Sequence, residues 1–485
     1  MSFFLKIPLV IPLVLLALWG CAVGPDYKQP DMKSPEQYKE IGSATRPTTR
    51  GAEGGIQADY LRWWTTLNDP MLNGLIDRAV KNNPDVLAAE ARIREARGNR
   101  GIQASGLFPD VGAQGGYTHE RESQNLPGIS ELGGASGGSF PGLEADLWQA
   151  GFDATWEIDV FGGTRRAVES AGYGVEAAEW DRRDVLVSLL AEVAVNYVEL
   201  RGAQRELDIA QSNLQSQQQT LDLTRRKAEG GLIPYLDVAQ QEAQVATTAS
   251  LIPTLQAQVR QTIHHLGILL GQDPGSLSDE LTPTAPIPIG PASVPPGLPG
   301  DLLRRRPDVR RAERQLAEAT AEVGVATADL YPKFSITGAL GVESQSLKKL
   351  FDYTSRTYEI VPGVTWDIFN AGKVKSNIDV QNAKQAEALQ AYRKAVLQSM
   401  EDVEDALVAY NREQVRLQSV QEAVDANQKA VDLSMELFQK GSADFLSVLD
   451  AQRSLFAAQD SLAQSEQQVS ADLVALYKAL GGGWD

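Results

Sequence analysis

Cysteine is almost missing from this chain: its 485 residues contain one, Cys21, so no disulfide can form within it. Histidine is nearly as scarce, with only His119, His264 and His265. The last two are adjacent and point to different sides of a helix. Without spaced His or further Cys there is no set of three or four zinc ligands, and neither a metal nor a cofactor is expected. Aromatic residues make up 7%. No segment after residue 20 approaches the ~20 continuous apolar residues of a membrane helix, so a mature chain that crosses a membrane must do so with strands. Positive charge is outnumbered, 45 Lys and Arg against 63 Asp and Glu, a net charge of −18. That balance repels phosphates and argues against nucleic acid as a partner. It fits an acidic soluble surface, or an acidic passage that attracts cations. No catalytic constellation emerges. The run Gly133 to Gly138 lacks the strand–turn–helix context of a nucleophile elbow or phosphate loop and reads as a loop tip. No enzymatic activity is expected.

What is present begins with an export signal over 1–20: Lys6, an apolar run from Ile7 to Leu18, then Leu18-Trp19-Gly20-Cys21. The last four residues are similar to a bacterial lipobox, in which the peptide is cut before Cys21 and the thiol is lipidated. Beyond it the chain is written twice. Asn83-Pro84-Asp85-Val86 reappears as Arg306-Pro307-Asp308-Val309, and each copy runs to Phe108-Pro109 or Tyr331-Pro332 without a gap. A second block repeats at a shorter offset: Trp156-Glu157-Ile158 matches Trp366-Asp367-Ile368, Gly231 matches Gly441, and Leu270-Gly271 matches Leu480-Gly481. Units of roughly 200 residues are far longer than solenoid repeats; one architectural half has been copied.

The long proline-free stretch from about 164 to 229 places apolar residues seven apart: Leu186, Val193, Leu200, Leu207, Leu214, Leu221. The second copy does so from Val396 through Val403, Tyr410, Leu417, Val424 and Val431 to Phe438. A sustained heptad keeps one seam only in a left-handed supercoil, and about 65 residues at ~1.5 Å each span near 100 Å. Shorter heptad helices follow, from Val238 to Leu266 and from Val448 to Leu476, with Gly231 and Gly441 at the reversals. Pro253 predicts a kink or break in the first of these. Beside the apolar seams lie Gln204, Gln211, Gln218, Gln414, Gln421 and Gln428. Buried amides need partners, so repeating glutamines predict helices with water on one side, as in the wall of a tube; an ordinary hairpin with polar register-setting residues is the other reading.

After each Phe-Pro or Tyr-Pro the period changes to two. Phe334 to Val342 and Phe152 to Asp159 alternate apolar with small, polar or acidic residues, and Val111 to Tyr117 and Ile360 to Ile368 supply two weaker copies. Eight to ten residues, roughly, suffice for a tilted transmembrane strand. Trp156 and Trp366 suit an aromatic girdle. Four strands cannot close a barrel and lipid tolerates no open edge, so the chain must oligomerise. The segment His119 to Gln149 makes the first hairpin tip the longer one, which accounts for the changed offset.

Together these features resemble the TolC/OprM superfamily, in its lipoprotein branch that serves as the outer-membrane component of RND-type efflux pumps. The resemblance rests on Cys21 to Tyr27, Trp63-Trp64 with Asp69-Pro70, Asn83-Pro84-Asp85, Leu236-Asp237-Val238, Arg305 to Val309 and Val448 to Ala451, in that order. It implies a mainly α fold with a transmembrane β-barrel contribution. Three chains would share a twelve-stranded barrel continuous with a periplasmic α-barrel. The implied domains are an anchored N-terminal segment over 21–65, a first repeat over 66–272 and a Pro-rich linker over 273–300. The second repeat spans 301–482. Strand hairpins would lie at about 110–159 and 333–368, and long helices at about 164–229, 234–270, 373–439 and 444–480. The implied partners are two further copies, a periplasmic adaptor, an inner-membrane RND-type transporter and outer-membrane lipid. Such ducts close at the periplasmic end in acidic rings, and the matching positions are Asp237 and Asp450, with Asp444 close by. Ser447 stands where the repeat partner of Asp237 would be. A carboxylate near a helix N-terminus also simply complements the helix dipole. Two rival functions remain open on the sequence: the exit duct of a type I protein secretion system, and a lipid-anchored coiled-coil scaffold without a channel.

Overall fold

The computed structural model describes residues 22–32, 35–40, 61–121, 144–291, 294 and 299–484. The export signal, Cys21, the glycine run at 133–138 and most of the first hairpin tip lie outside these residues. The repeat is visible in element lengths. Helices α1 (Pro70–Asn82) and α2 (Pro84–Ser105) lead to strands β1 (Asp110–Arg121) and β2 (Glu144–Ile158). These are followed by α3 (Gly163–Glu229) and α4 (Tyr235–Leu269); the linker carries the short α5 (Ser278–Leu281), and α6 (Leu302–Arg305) follows it. The second half repeats the plan with α7 (Pro307–Ala328), β3 (Lys333–Ser344), β4 (Arg356–Thr365), α8 (Lys373–Gln439) and α9 (Phe445–Ala479). Equivalent helices match in length: 22 residues for α2 and α7, 67 for α3 and α8, 35 for α4 and α9. Helix α4 passes through Pro253 without interruption, so of the expected kink or break the break does not occur. No helix of the described residues is long and apolar enough to cross a membrane.

Two compact units divide the chain. The first gathers Met1–Pro30, Arg94–Glu176 and Arg314–Gln390; the second gathers Asp31–Ile93, Ala177–Glu313 and Ala391–Asp485. The first unit contains one antiparallel sheet in the order β1-β2-β3-β4. Strand β4 begins earlier and ends sooner than alternation predicts, at Thr365, leaving Trp366 just outside it. Each Trp of the repeat then caps a helix: Trp156 Nε1 donates to Leu107 O at the end of α2, and Trp366 Nε1 to Leu330 O at the end of α7, both at 3.1 Å.

The second unit is built on the heptad seams. Val193, Leu200, Ile263, Leu266, Val403, Tyr410 and Leu476 are buried in one cluster with Trp63, Trp64, Leu72 and Ile76. Trp63 stacks on Tyr477, ring centroids 5.4 Å apart. Asp69 Oδ1 accepts from the N–H groups of Met71 and Leu72, capping α1, while its other oxygen accepts from the Tyr197 hydroxyl at 2.7 Å. The paired Pro-Asp motifs do equivalent work with different side chains. Asn83 Nδ2 donates to Leu269 O at 2.9 Å and Arg306 Nη1 to Ala479 O at 3.1 Å, so each ties the end of its own repeat's 35-residue helix to the start of that repeat's 22-residue helix. The linker lies on the helices through its carbonyls: Pro283 O accepts from Arg201, Pro288 O from Ser470 and Pro291 O from Tyr410. Gln204 departs from the water-facing expectation. It is buried, with its amide donating to Leu281 O at 2.8 Å. Gln211, Gln218, Gln421 and Gln428 are exposed and Gln414 is half-buried.

Candidate functional site

In the first unit the site is the sheet itself. Side chains alternate across a strand, and the register fixes which share a face. On one face lie Val111, Ala113 and Tyr117 of β1, Trp148, Phe152, Trp156 and Ile158 of β2, Phe334, Ile336, Leu340 and Val342 of β3, and Tyr358, Ile360, Pro362 and Val364 of β4. Several are openly exposed, among them Phe152 at 60% and Tyr358 at 84%. The opposite face carries Gln114, Thr118 and Glu120, then Gln149, Asp153 and Glu157, then Ser335, Thr337 and Glu343, then Thr357 and Glu359. An apolar side with aromatic rings at both ends and an acidic side suit lipid without and water within. Tyr117 packs on Trp148 at 4.4 Å, and beyond this pair the apolar face turns ionic. Asp146 Oδ1 accepts from the Tyr117 hydroxyl and lies 2.8 Å from His119 Nδ1, and Arg121 pairs with Glu144 at 3.1 Å. Among the described residues the outer edges of β1 and β4 have no neighbour in the sheet; exposed edges of this kind await other strands.

In the second unit the site is the pair of hairpin tips. Both long helices end in the same left-handed reversal, with Gly231 at φ 69° and Gly441 at φ 73°. Leu232 N–H returns to Lys227 O and Ser442 N–H to Leu437 O, both at 2.9 Å; this is a Schellman closure that only a residue tolerating positive φ makes cheaply. Past the turn the two copies differ. Asp444 caps α9, its Oδ1 accepting from Ser447 N–H at 3.0 Å and from the Ser447 hydroxyl at 2.6 Å. These donors hold its carboxyl below the usual carboxylate range. Pro234 occupies the equivalent place before α4 and makes no side-chain cap. The first repeat's carboxylate sits three residues on, at Asp237, half-buried in the first turn of α4. Burial raises its pKa, and the charge of Asp444 raises it further. The structure therefore brings Asp237 and Asp444 within electrostatic reach of one another. Asp450 lies further along α9 and is exposed. Cys21 lies outside the described residues.

Sequence reasoning missed the group that joins the tips. Lys227 Nζ donates to Phe438 O at 2.8 Å and to Gln439 O at 3.2 Å, and sits 4.8 Å from the centre of the Phe438 ring. It thus caps the C-terminal end of α8, where a cation is favoured; Phe438 O also accepts from Gly441 N–H at 3.1 Å. Apolar contacts back it: Phe438, Phe445, Val448 and Leu449 form a buried cluster against which Leu223 and Ile233 of the first hairpin pack. A signal existed in the repeat, because Lys227 aligns with Leu437 and breaks the internal match at the end of a helix. Arg453 Nε also crosses between hairpins, donating to Gln244 Oε1 at 2.8 Å.

Comparison with known proteins returns the same architecture. Nodulation protein T of Rhizobium leguminosarum bv. trifolii is 31% identical over 475 residues, covering 98% of this chain and 97% of that protein. The toluene efflux pump outer membrane protein TtgF of Pseudomonas putida is 32% identical over 479 residues, 97% of this chain and 95% of that one. The solved structure of the outer-membrane channel OprN superposes with a TM-score of 0.87 at 35% identity, over 96% of this chain and 100% of that one. The pattern of the outer membrane efflux protein family runs over residues 75–272 and again over 298–482, so the match falls on both halves of the internal duplication. With two-faced strands, paired heptad hairpins and that twofold match, the chain belongs to the outer membrane efflux protein family.

Proposed function

We propose that the chain is the exit duct of a tripartite efflux system, passively conducting small molecules such as drugs or toxic compounds from the periplasm to the exterior. The observation that carries this reading is the sheet with one apolar and one acidic face and two unpaired edges. A bilayer accepts such a sheet only when it is closed. Closure by two further copies gives a homotrimer and a twelve-stranded barrel with its acidic faces inward. The named relatives among efflux pumps support the same role and supply its expected partners, a periplasmic adaptor and an inner-membrane RND-type transporter. The protein sits in the outer membrane, anchored by lipid on Cys21, and extends into the periplasm. The duct performs no reaction. Its working parts are the acidic lumen and the hairpin tips, where Asp237, Asp444 and Asp450 of three copies constrict the bore and favour cations. Lys227 holds the two hairpins of each chain together in the arrangement seen here.

Purified protein in a planar bilayer tests the duct, since a scaffold without a channel passes no current. A deletion strain then separates the two kinds of cargo. Increased susceptibility to small toxic compounds with an unchanged profile of exported proteins supports efflux; loss of an exported protein with unchanged susceptibility moves the assignment to secretion.

A further inference from the structure

The first described residues of the chain are bound like a peptide ligand. Val23 N–H donates to Phe161 O at 3.0 Å. Arg166, in the first turn of α3, then holds the segment with most of its guanidinium: Nε donates to Val23 O at 3.1 Å, and Nη2 to Gly24 O at 3.5 Å and to Asp26 Oδ1 at 2.7 Å. Its Nη1 is fixed by Glu169 at 2.8 Å, and only 5% of the side chain is exposed. Gly24, at φ +89°, lies on Gly324 of α7 so closely that an added Cβ would stand 2.4 Å from the Gly324 Cα. Gly162 is seated on Ala22 in the same way, its missing Cβ falling 2.6 Å from the Ala22 Cα. Tyr27 closes the site, edge-on to Tyr173 at 6.0 Å, with the Arg314 guanidinium within 5.7 Å of its ring.

The duplication supplies an internal control. The counterpart of Gly162 is Gly372, also at positive φ, and the counterpart of Gly324 is Gly101; among the described residues nothing stands within 4 Å of the missing Cβ at either. The counterpart of Arg166 is Ser376, which has no guanidinium fork. The repeat therefore kept the glycines in both copies, but among the described residues only the first copy carries the arginine and a bound segment. Helix packing alone does not call for that difference.

We propose that Ala22–Tyr27 is a docked strap, held by Arg166, that seats the acyl anchor carried on Cys21 at the foot of β2 instead of leaving it on a free tether. The inference rests on the reading of Cys21 as lipidated. Its geometry follows from the strap's neighbours. Phe161 stacks on Tyr331 at 4.5 Å and lies 6.5 Å from Phe334 at the start of β3, so the strap enters beside an aromatic cluster at the end of the sheet where β2 finishes and β3 begins. Aromatic rings at that level mark a membrane interface, and Ala22, seated on Gly162, brings the strap to it. Arg166 acts here as a positioning residue.

Timed trypsin digestion of the purified full-length protein tests both layers. Cleavage after Lys28, an exposed residue just beyond the strap, requires the segment to open locally, and it releases a peptide whose mass reports whether Cys21 is acylated. We expect release at least about tenfold faster in Arg166→Met and in Tyr27→Ala, with acylation unchanged and with partial slowing in Arg166→Lys. Tyr27→Ala alters only the strap, so it stands if Arg166→Met fails to fold. Equal release rates in parent and Tyr27→Ala overturn the docked strap. An unacylated peptide released slowly overturns the anchor reading while leaving the docking itself measured.

Discussion

Lys227 offers the sharpest test of how the tips are held. In Lys227→Met the stem that packs on Phe438 remains and the ammonium is lost, so the change isolates the polar contacts. A charge-assisted hydrogen bond contributes about 1.5–3 kcal/mol when buried, but Lys227 is only half-buried and water competes for both carbonyls. Discounted accordingly, the two bonds together contribute about 1 kcal/mol. Placement at a helix C-terminus adds roughly 0.3–1 kcal/mol, and the exposed cation–π contact adds about 0.5 kcal/mol. The contact is therefore worth about 2 kcal/mol per chain, near a thirtyfold change in the ratio of joined to parted hairpins. In a trimer that opens in concert, three such losses approach ~6 kcal/mol, or about four decades. Single-channel recording should show longer and larger openings in Lys227→Met and a return toward parental behaviour in Lys227→Arg, which restores the cation. Parental conductance and open probability in Lys227→Met would refute the assignment, since no other change in that variant compensates for the lost donors.

The remaining expectations concern the carboxylates and the sheet. Asp237→Ala combined with Asp450→Ala should raise single-channel conductance and weaken cation selectivity; unchanged values remove both from the constriction. Because the pKa of Asp237 is raised by burial and by Asp444, the folded tip binds its proton more tightly than the unfolded chain does. Ionised Asp237 then detracts from tip stability above its pKa, and the penalty lifts as the pH falls through it. Asp444 has the opposite sign: its bonds from Ser447 stabilise the tip above the ordinary Asp value near ~3.9 and are lost below its own depressed pKa. Open probability should thus fall on mild acidification, and the response should vanish in Asp237→Asn; an identical pH profile in that variant rejects the coupling. On the sheet, Leu340→Arg places a charge in the middle of the apolar face, at about 2–4 kcal/mol per copy, and should abolish recovery from the outer membrane. Glu343→Arg on the opposite face should leave assembly intact and shift ion selectivity, as fractionation and bilayer recording would report.

The architecture was legible wherever one physical demand repeated. Heptads from Leu186 to Leu221 and from Val396 to Phe438 must be long helices because no other element keeps a seven-residue step on one side. Alternation from Phe334 to Val342 must be a strand for the same kind of reason. Single residues were harder. Gln204 shares its spacing with Gln211 and Gln218 yet is buried, because the linker carbonyl of Leu281 happens to lie across it, and sequence spacing carries no trace of that crossing. Lys227 escaped because its partners are main-chain carbonyls, which every residue possesses and no pattern advertises, and Arg166 because it joins such carbonyls to Asp26, 140 residues away in sequence. Pro253 left a kink and a break open: a proline removes one N–H and crowds one carbonyl, and the surrounding turns of α4 continue the helix past it without a break.

The two copies agree in geometry and disagree in chemistry, and the disagreements cluster. Helix lengths are the same in pairs, so neither copy is free to change its reach. The tips pair Lys227 with Leu437, Pro234 with Asp444 and Asp237 with Ser447; the start of the long helix pairs Arg166 with Ser376. Six like hairpins around an axis would each meet two equivalent neighbours, and no contact would be preferred over the next. Moving one carboxylate from the third residue of its helix to the cap, and placing one lysine against the end of α8, makes the joint within a chain chemically different from the joint between chains. In the proposed trimer the sixfold ring is thereby reduced to a threefold one. Such a ring can open at one class of joint while the other class stays closed, which a ring of six identical hairpins cannot do.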